Sequence, residues 1–224
     1  MNQSPKELVP EFFDETSSSY DKIVIWCTFG KDKHWKNKIC QNIPTGDSYL
    51  DLACGTGILT EQIAQMFPKG TVVGVDITPN YIKLAQKKSK HKNISYLHDD
   101  AETINLSQRF DCITASYLPK YCDPKILVKT CIAHLKPGGK IILHDFTYPK
   151  NSLVQALWDA YFVLLNFAGL FMPSWKNAFS KLPKLIRSSN WTADYSTELK
   201  KNGFDVKHDS LTLDSSAILI AKKI

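Results

Sequence analysis

The chain has 224 residues, 43% of them hydrophobic and 22% charged, with a formal net charge of +6 and six cysteines. That length suits one sizeable α/β domain, and the composition is that of a globular protein rather than a disordered or fibrous one. The cysteines form no Cys-x-x-Cys pair and stand at no metal-ligand spacing, which argues against a zinc module and for free thiols in a reducing compartment.

Met1 to Pro10 is polar and reads as loose, without the apolar run of a secretory signal. Glu11 to Tyr20 mixes Phe12, Phe13 and Tyr20 with acids, and Asp32 to Ile43 carries Trp35, Ile39 and Ile43 at helical spacing. Tyr49 to Leu52 is an apolar strand running into Ala53-Cys54-Gly55-Thr56-Gly57, a small-residue turn that opens a helix. Gly55 and Gly57 permit a sharp turn and the close approach of a ligand. Asp51, at the carboxyl end of the strand, is badly placed for a pyrophosphate and well placed for a cationic amino acid group. Thr60 stands where a dinucleotide fingerprint needs its third glycine. The helix runs on through Thr60 to Phe67 and is closed by Pro68-Lys69-Gly70. Thr71 to Asp76 is the next strand, and a carboxylate at its tip is placed to accept hydrogen bonds from both hydroxyls of a ribose. Thr78-Pro79 caps the following helix, which ends at Lys88. The basic run from Lys83 to Lys92 reads first as a solvated helix face and loop. A membrane-surface patch is the sharper alternative, and nucleic acid is disfavoured because no aromatics are interleaved.

Ile94 to Leu97 is the third strand, followed by His98-Asp99-Asp100-Ala101, and Phe110 to Ser116 is the fourth. Pro124 to Leu135 makes a helix, Lys136-Pro137-Gly138-Gly139 a turn, and Lys140 to His144 the fifth strand. Beyond Pro149, Leu153, Ala156, Leu157, Tyr161, Leu164 and Leu165 mark an apolar helix face widened by Trp158 and Phe162, with Phe167, Phe171 and Met172 after it. Gln155, Asp159, Asn166 and Gly169 interrupt that stretch, so a membrane span is not expected. It reads either as a core-packed helix or as a lid for a hydrophobic acceptor. The second reading makes Trp158, Phe162 and Phe171 substrate candidates. Trp191 to Lys201 is a helix closed by Asn202-Gly203, and Phe204 to His208 with Ser216 to Ala221 form a hairpin at the sheet edge. The alternation implies an α/β fold: a doubly wound, mostly parallel, seven-stranded Rossmann-like sheet with an antiparallel C-terminal edge strand. The expected organisation is a single domain over 1–224. It comprises a helical cap (1–45), a cofactor-binding core (46–150), an apolar helical lid insertion (151–190), and a C-terminal helix with edge strands (191–224).

Asp51-Leu52-Ala53-Cys54-Gly55-Thr56-Gly57 resembles the first motif of class I S-adenosylmethionine-dependent methyltransferases, and within them the ubiquinone/menaquinone biosynthesis C-methyltransferase family. The resemblance extends to Leu135-Lys136-Pro137-Gly138-Gly139, to Asp145-Phe146-Thr147-Tyr148-Pro149, and to the N-terminal order Ser19-Tyr20-Asp21, Phe29-Gly30, Trp35-Lys36. It implies S-adenosyl-L-methionine as cofactor, with no metal. The implied cofactor residues are Asp51, Ala53, Gly55, Gly57, Asp76 and Ile77, then Asp100 and Ala101 at the adenine, and Ser116 and Tyr117 at the methionine part. It also implies that the N-terminal segment, with Tyr20, folds over the cofactor and shapes the acceptor pocket.

Quinone methyltransferases usually carry an Arg-Asn pair after the fourth strand, where this chain reads Ser116-Tyr117-Leu118-Pro119-Lys120-Tyr121. Lys120 and Tyr121 become substrate-side candidates, and Lys120 can neutralise a phenolate without the planar fork of Arg. The expected activity is methyl transfer to a hydrophobic or aromatic small molecule, with carbon methylation of a prenylated quinone precursor as the leading case. Methylation of oxygen or nitrogen on another small molecule, and a non-catalytic cofactor-binding subunit, are the alternatives. Carbon methylation also calls for a base, for which His144, Asp145, His34 and Tyr20 are candidates. A lone His near a strand end is more often structural. The expected location is cytoplasmic, with peripheral membrane contact as a variant, and the oligomeric state is left open.

Overall fold

The computed structural model describes residues 5–13 and 15–224. Seven strands form one sheet: β1 (Ser48–Leu52), β2 (Thr71–Asp76), β3 (Ile94–His98), β4 (Phe110–Ser116), β5 (Leu135–Phe146), β6 (Phe204–Leu211) and β7 (Ser216–Lys223), in the order β3-β2-β1-β4-β5-β7-β6. Pairings from β3 through β5 are parallel, and β7 runs antiparallel to both β5 and β6. The antiparallel strand therefore sits one place inside the edge, and β6 is outermost.

The buried runs of β1 and β4 dictate two covered faces, because neighbouring side chains on a strand point to opposite sides. Leu50, Leu52, Ile113 and Ile141 pack under α6 (Pro124–His134) and α9 (Trp191–Lys201). Tyr49, Cys112 and Ile142 pack under α3 (Lys31–Asn42) and α4 (Ile58–Met66). The strand order reverses between β1 and β4, and in a doubly wound sheet the crevice opens there, beyond the carboxyl ends of the strands.

Above that crevice lies a third cluster. Phe12 of α1 (Leu8–Phe13) meets Leu165 of α7 (Ser152–Gly169) and Trp175 and Phe179 of α8 (Pro173–Ser188). Tyr161 Oη donates to Cys27 O at 2.7 Å, and Trp175 Nε1 to Ser19 Oγ at 2.9 Å. These bonds hold the 150–190 helices against α2 (Tyr20–Cys27). α5 (Pro79–Lys88) starts at an N-cap Thr78 with Pro79 in its first turn.

Three local readings differ from the structure. Pro5–Glu7 is a 3-10 turn and α1 begins at Leu8, so this part of the N-terminal stretch is helical rather than loose; residues 1–4 of that stretch lie outside the described residues. Lys136 to Gly139 is not a free turn. It is absorbed into β5, where the pairing with β4 shifts register, and Gly138 takes φ +72°. The region after Pro149 holds two helices, and α8 carries Pro183 inside it. No helix among the described residues is long and apolar enough to cross a membrane.

Candidate active site

β1 delivers Asp51 to the crevice, and just past the strand Ala53 takes φ +55°, a left-handed conformation that costs a non-glycine residue. Tyr117, just past β4, does the same at φ +65°. Backbone bonds hold the two strand ends: Cys54 N to Val75 O at 2.9 Å, and Tyr117 N to His144 O at 2.8 Å. Gly57, the N-cap of α4, sits at φ +86°, where a Cβ would come within 2.5 Å of the Tyr96 hydroxyl. Only glycine fits both demands.

Asp51 is buried, and each of its oxygens accepts one hydroxyl, from Thr60 Oγ1 and Thr114 Oγ1, both at 2.7 Å. Burial pushes its carboxyl up to about 6, with the two hydroxyls and the Lys36 charge only partly offsetting it. Among the described residues no cation forms an ion pair with it. Asp76 is equally enclosed. Its oxygens accept from Gly55 N and Thr78 N at 2.8 Å each, which fixes its edge toward the crevice, and burial raises its carboxyl. A pair of desolvated acids at neighbouring strand tips suits a ligand with a hydroxyl-rich edge and a cationic head.

Asp76, Ile77, Asp100, Ala101 and Ser116 line one cavity, roofed by Lys6 and Val9 from the N-terminal segment. Asp100 is shared: Lys6 pairs with it and with Glu102 (2.7 Å), and Glu102 N donates to its other oxygen at 3.0 Å. A carboxylate has lone pairs to spare beyond these.

A second cavity of about 350 Å³ opens beside the first and is overwhelmingly apolar, with Ile23, Phe146, Trp158, Phe162, Leu165 and Phe179 in its wall. That volume is at the lower end for small-molecule pockets and accommodates a ring system better than a long chain. Phe13, Tyr20, Tyr117 and Tyr121 line both cavities and form the passage between them. Lys120 also faces the apolar cavity. Its Nζ binds Asp145 Oδ1 at 2.6 Å and Tyr117 O at 3.1 Å, and lies 4.3 Å from the Tyr121 ring centroid. Burial lowers the Lys120 ammonium and raises the Asp145 carboxyl, so the pair holds its proton less decisively than an exposed one would. The Tyr121 hydroxyl is buried without a hydrogen-bond partner among the described residues.

The remaining candidates fall outside this passage or behind it. His144 is fully buried, with Nδ1 2.9 Å from Ser116 Oγ and Nε2 2.8 Å from Ser216 Oγ. Burial, with Lys36 and Lys120 nearby, holds it well below the ordinary histidine range, which fits a neutral structural ring. Asp145 reaches the cavity only through Lys120. His34 is exposed on α3 and lines none of the three cavities. Phe171 is 75% exposed and packs on Phe167, away from the apolar cavity. Tyr20 lines all three cavities, and burial pushes its phenol well up, so it stays protonated.

Sequence reasoning missed Lys6 and Asp32, and named Lys36 only as part of the N-terminal resemblance, without a role. Asp32 and Lys36 form a buried (i, i+4) ion pair on α3, and Tyr117 Oη donates to Asp32 at 2.8 Å. Their spacing on one helix face was the available signal, but charges in a polar helix read as solvated.

The profile of the ubiE/COQ5 methyltransferase family matches residues 1–223. The chain is 32% identical over 179 residues to the demethylmenaquinone methyltransferase of Lactobacillus johnsonii, covering 75% of this chain and 73% of that protein. It is 30% identical over 216 residues to the ubiquinone/menaquinone biosynthesis C-methyltransferase UbiE of Pectobacterium carotovorum, covering 92% and 86%. Among solved structures, the plantazolicin methyltransferase BpumL in complex with SAH superposes with a TM-score of 0.67 to 0.68 at 14% identity, covering 99% of this chain and 95% of that one.

Proposed function

This chain belongs to the ubiE/COQ5 methyltransferase family and is an S-adenosylmethionine-dependent methyltransferase, and we propose that its acceptor is a prenylated hydroquinone methylated on a ring carbon. The observation that carries the acceptor is the apolar cavity joined to the cofactor side through four aromatic rings, with one buried ammonium facing it. When bound, S-adenosylmethionine supplies a methyl group already activated by its sulfonium. Asp76 accepts from the ribose hydroxyls, Asp51 from the ammonium of the methionine end, and Asp100 with Ala101 faces the adenine. Gly55 leaves room for the ligand at the turn, Gly57 lets that turn close against Tyr96 and open α4, and Ile77, Ser116 and Tyr117 complete the wall. Phe13, Tyr20, Tyr117 and Tyr121 exclude water at the passage and align the ring with the methyl. Lys120 faces the acceptor oxygen and stabilises its phenolate. Asp145, paired to Lys120 behind the cavity wall, takes up a proton by way of that lysine. The α7 and α8 helices act as the lid, with Trp158 and Phe162 against the ring.

Asp76→Ala is expected to weaken S-adenosylhomocysteine binding by about 1–3 kcal/mol, because an unpaired ribose edge loses that much. Unchanged affinity by calorimetry would remove Asp76 from the ribose role. The pH dependence follows from Asp51. Folding raises its carboxyl above the usual value of 3.8, to about 6, so in the ligand-free protein its ionisation lowers stability as pH rises between those values and no further above. An ammonium needs the ionised form. Affinity is therefore expected to be flat above pH about 6 and to fall by up to about tenfold per unit below it. Asp51→Asn should flatten that slope; a slope that survives the substitution belongs to another group.

Membrane contact is the finer part of the same reading. Phe29 and Leu213 are 77% and 74% exposed, yet both line the apolar cavity, as does Lys31, so the mouth opens on an apolar rim beside a cation. Such a rim suits an anionic lipid surface from which a prenyl tail enters. Co-sedimentation with vesicles containing phosphatidylglycerol is expected, and to be lost in Phe29→Asp. Equal binding by the variant would place the contact elsewhere.

The test of the acceptor uses S-adenosylmethionine labelled in its methyl group and a chemically reduced 2-prenyl-1,4-naphthoquinone in detergent. Label on a ring carbon of the extracted quinone is expected. No transfer, from protein that binds S-adenosylhomocysteine, would overturn this acceptor.

A further inference from the structure

We propose that Lys36 on α3 recognises the carboxylate of the cofactor's methionine end, opposite Asp51; this rests on the methyltransferase reading above. A third, small cavity is lined by Lys36, Asp51 and Thr56 and shares Ala53, Gly55 and Ser116 with the nucleoside cavity, so the two are continuous. Asp51 and Lys36 are the charged side chains in its wall among the described residues. An α-amino acid carries an ammonium and a carboxylate on one carbon, and a wall with one acid and one base complements both.

Lys36 is 5% exposed, and an ammonium has three N–H donors. Among the described residues Asp32 is its hydrogen-bond acceptor, and the Nζ lies 5.1 Å from the Tyr117 ring centroid. Donors are left over in a desolvated place, next to a cavity. Asp32 makes the burial tolerable without ligand, since an unpaired buried ammonium would otherwise be costly. Tyr117, whose hydroxyl donates to Asp32, holds the pair against the tip of β4. The N-terminal helices thereby contribute a cofactor contact that the strand-tip motifs do not contain, so cofactor occupancy fastens α3 to the sheet.

Two probes separate this contact from the rest of the site: S-adenosylhomocysteine, and S-adenosyl-3-thiopropylamine, which keeps the amine and lacks the carboxylate. Calorimetry on Lys36→Met should show about a tenfold or greater loss of affinity for the first, as expected for a hydrogen bond to a charged group, and less than about a twofold change for the second. Lys36→Arg should retain most of the affinity. Because Lys36→Met strands Asp32, the double variant Asp32→Asn with Lys36→Met provides a folded background, checked by its melting temperature, in which the same split is expected. Loss of both ligands in equal measure, or of neither, would overturn the role of Lys36. Failure of the unaltered protein to bind either ligand would instead overturn the methyltransferase reading beneath it.

Discussion

Lys120→Met is expected to destabilise the protein by about 3–5 kcal/mol, the usual cost of leaving a buried charge without its partner. The side chains of Lys120 and Asp145 are 2% and 0% exposed, so water cannot take over from the lost ammonium. Asp145 keeps two backbone donors, Lys120 N at 3.1 Å and Phe146 N at 2.7 Å, but among the described residues no second cation pairs with it. It then holds its proton more tightly folded than unfolded, so stability should fall as pH rises above the unfolded carboxyl value and recover on acidification. Asp145→Leu added to Lys120→Met should restore most of the loss, since replacing a whole buried pair by apolar groups is close to neutral. That double variant separates folding from chemistry. It should bind S-adenosylhomocysteine within about threefold of the parent yet turn over about 100-fold more slowly, the low end for losing a positioned proton-transfer or charge-stabilising group. Chemical denaturation at pH 5 and 8, with turnover on the reduced quinone, checks both halves. Full turnover in the double variant would make the pair structural only.

Gly57→Ala carries the second large effect. At φ +86° an L-residue costs about 1–2 kcal/mol, and overpacking adds about 1–3 kcal/mol. The new methyl would stand 2.5 Å from Tyr96 Oη and 3.1 Å from its ring carbon, with the Ala85 methyl 3.4 Å away on the same side. Tyr96 has little freedom to retreat, because it also packs on Ile82, Ala85 and Cys54 and its hydroxyl donates to Glu61 at 3.2 Å. A total of about 3 kcal/mol is expected from thermal or chemical unfolding. Tyr96→Phe in the same chain removes the closest contact but not the backbone strain, so roughly the overpacking share should return. Complete rescue would mean that the left-handed backbone carries no cost here.

The cofactor half of the site was legible because it is local. A strand with an acid at its tip recurs at β1 and β2, a small-residue turn follows the first, and each can be read within a dozen residues. The acceptor half is built by helices distant in sequence. Phe12 meets Trp175 and Phe179 across more than 160 positions, and no spacing rule announces that contact. Buried charge was the least legible. Asp32 and Lys36 stand four apart on a helix whose sequence shows only an apolar spacing, and the fold buries both beside Tyr117. His144 looked available for catalysis at a strand end, but Ser116 and Ser216, 100 positions apart, close both ring nitrogens. Lys136-Pro137-Gly138-Gly139 carries turn chemistry, yet the adjoining β4 draws it into an irregular start of β5. Lysines and Pro183 interleaved in α8 hid its apolar face, which surfaces only once α1 and α7 are in place to receive it.

A crystal structure of the complex with S-adenosylhomocysteine is the most direct measurement. It should show the ribose edge on Asp76 and the amino acid end beside Asp51. The sulfur should point through the rings of Phe13, Tyr20, Tyr117 and Tyr121 into the apolar cavity. A nucleoside seated there with its sulfur turned away from that cavity, or bound elsewhere, would contradict the account.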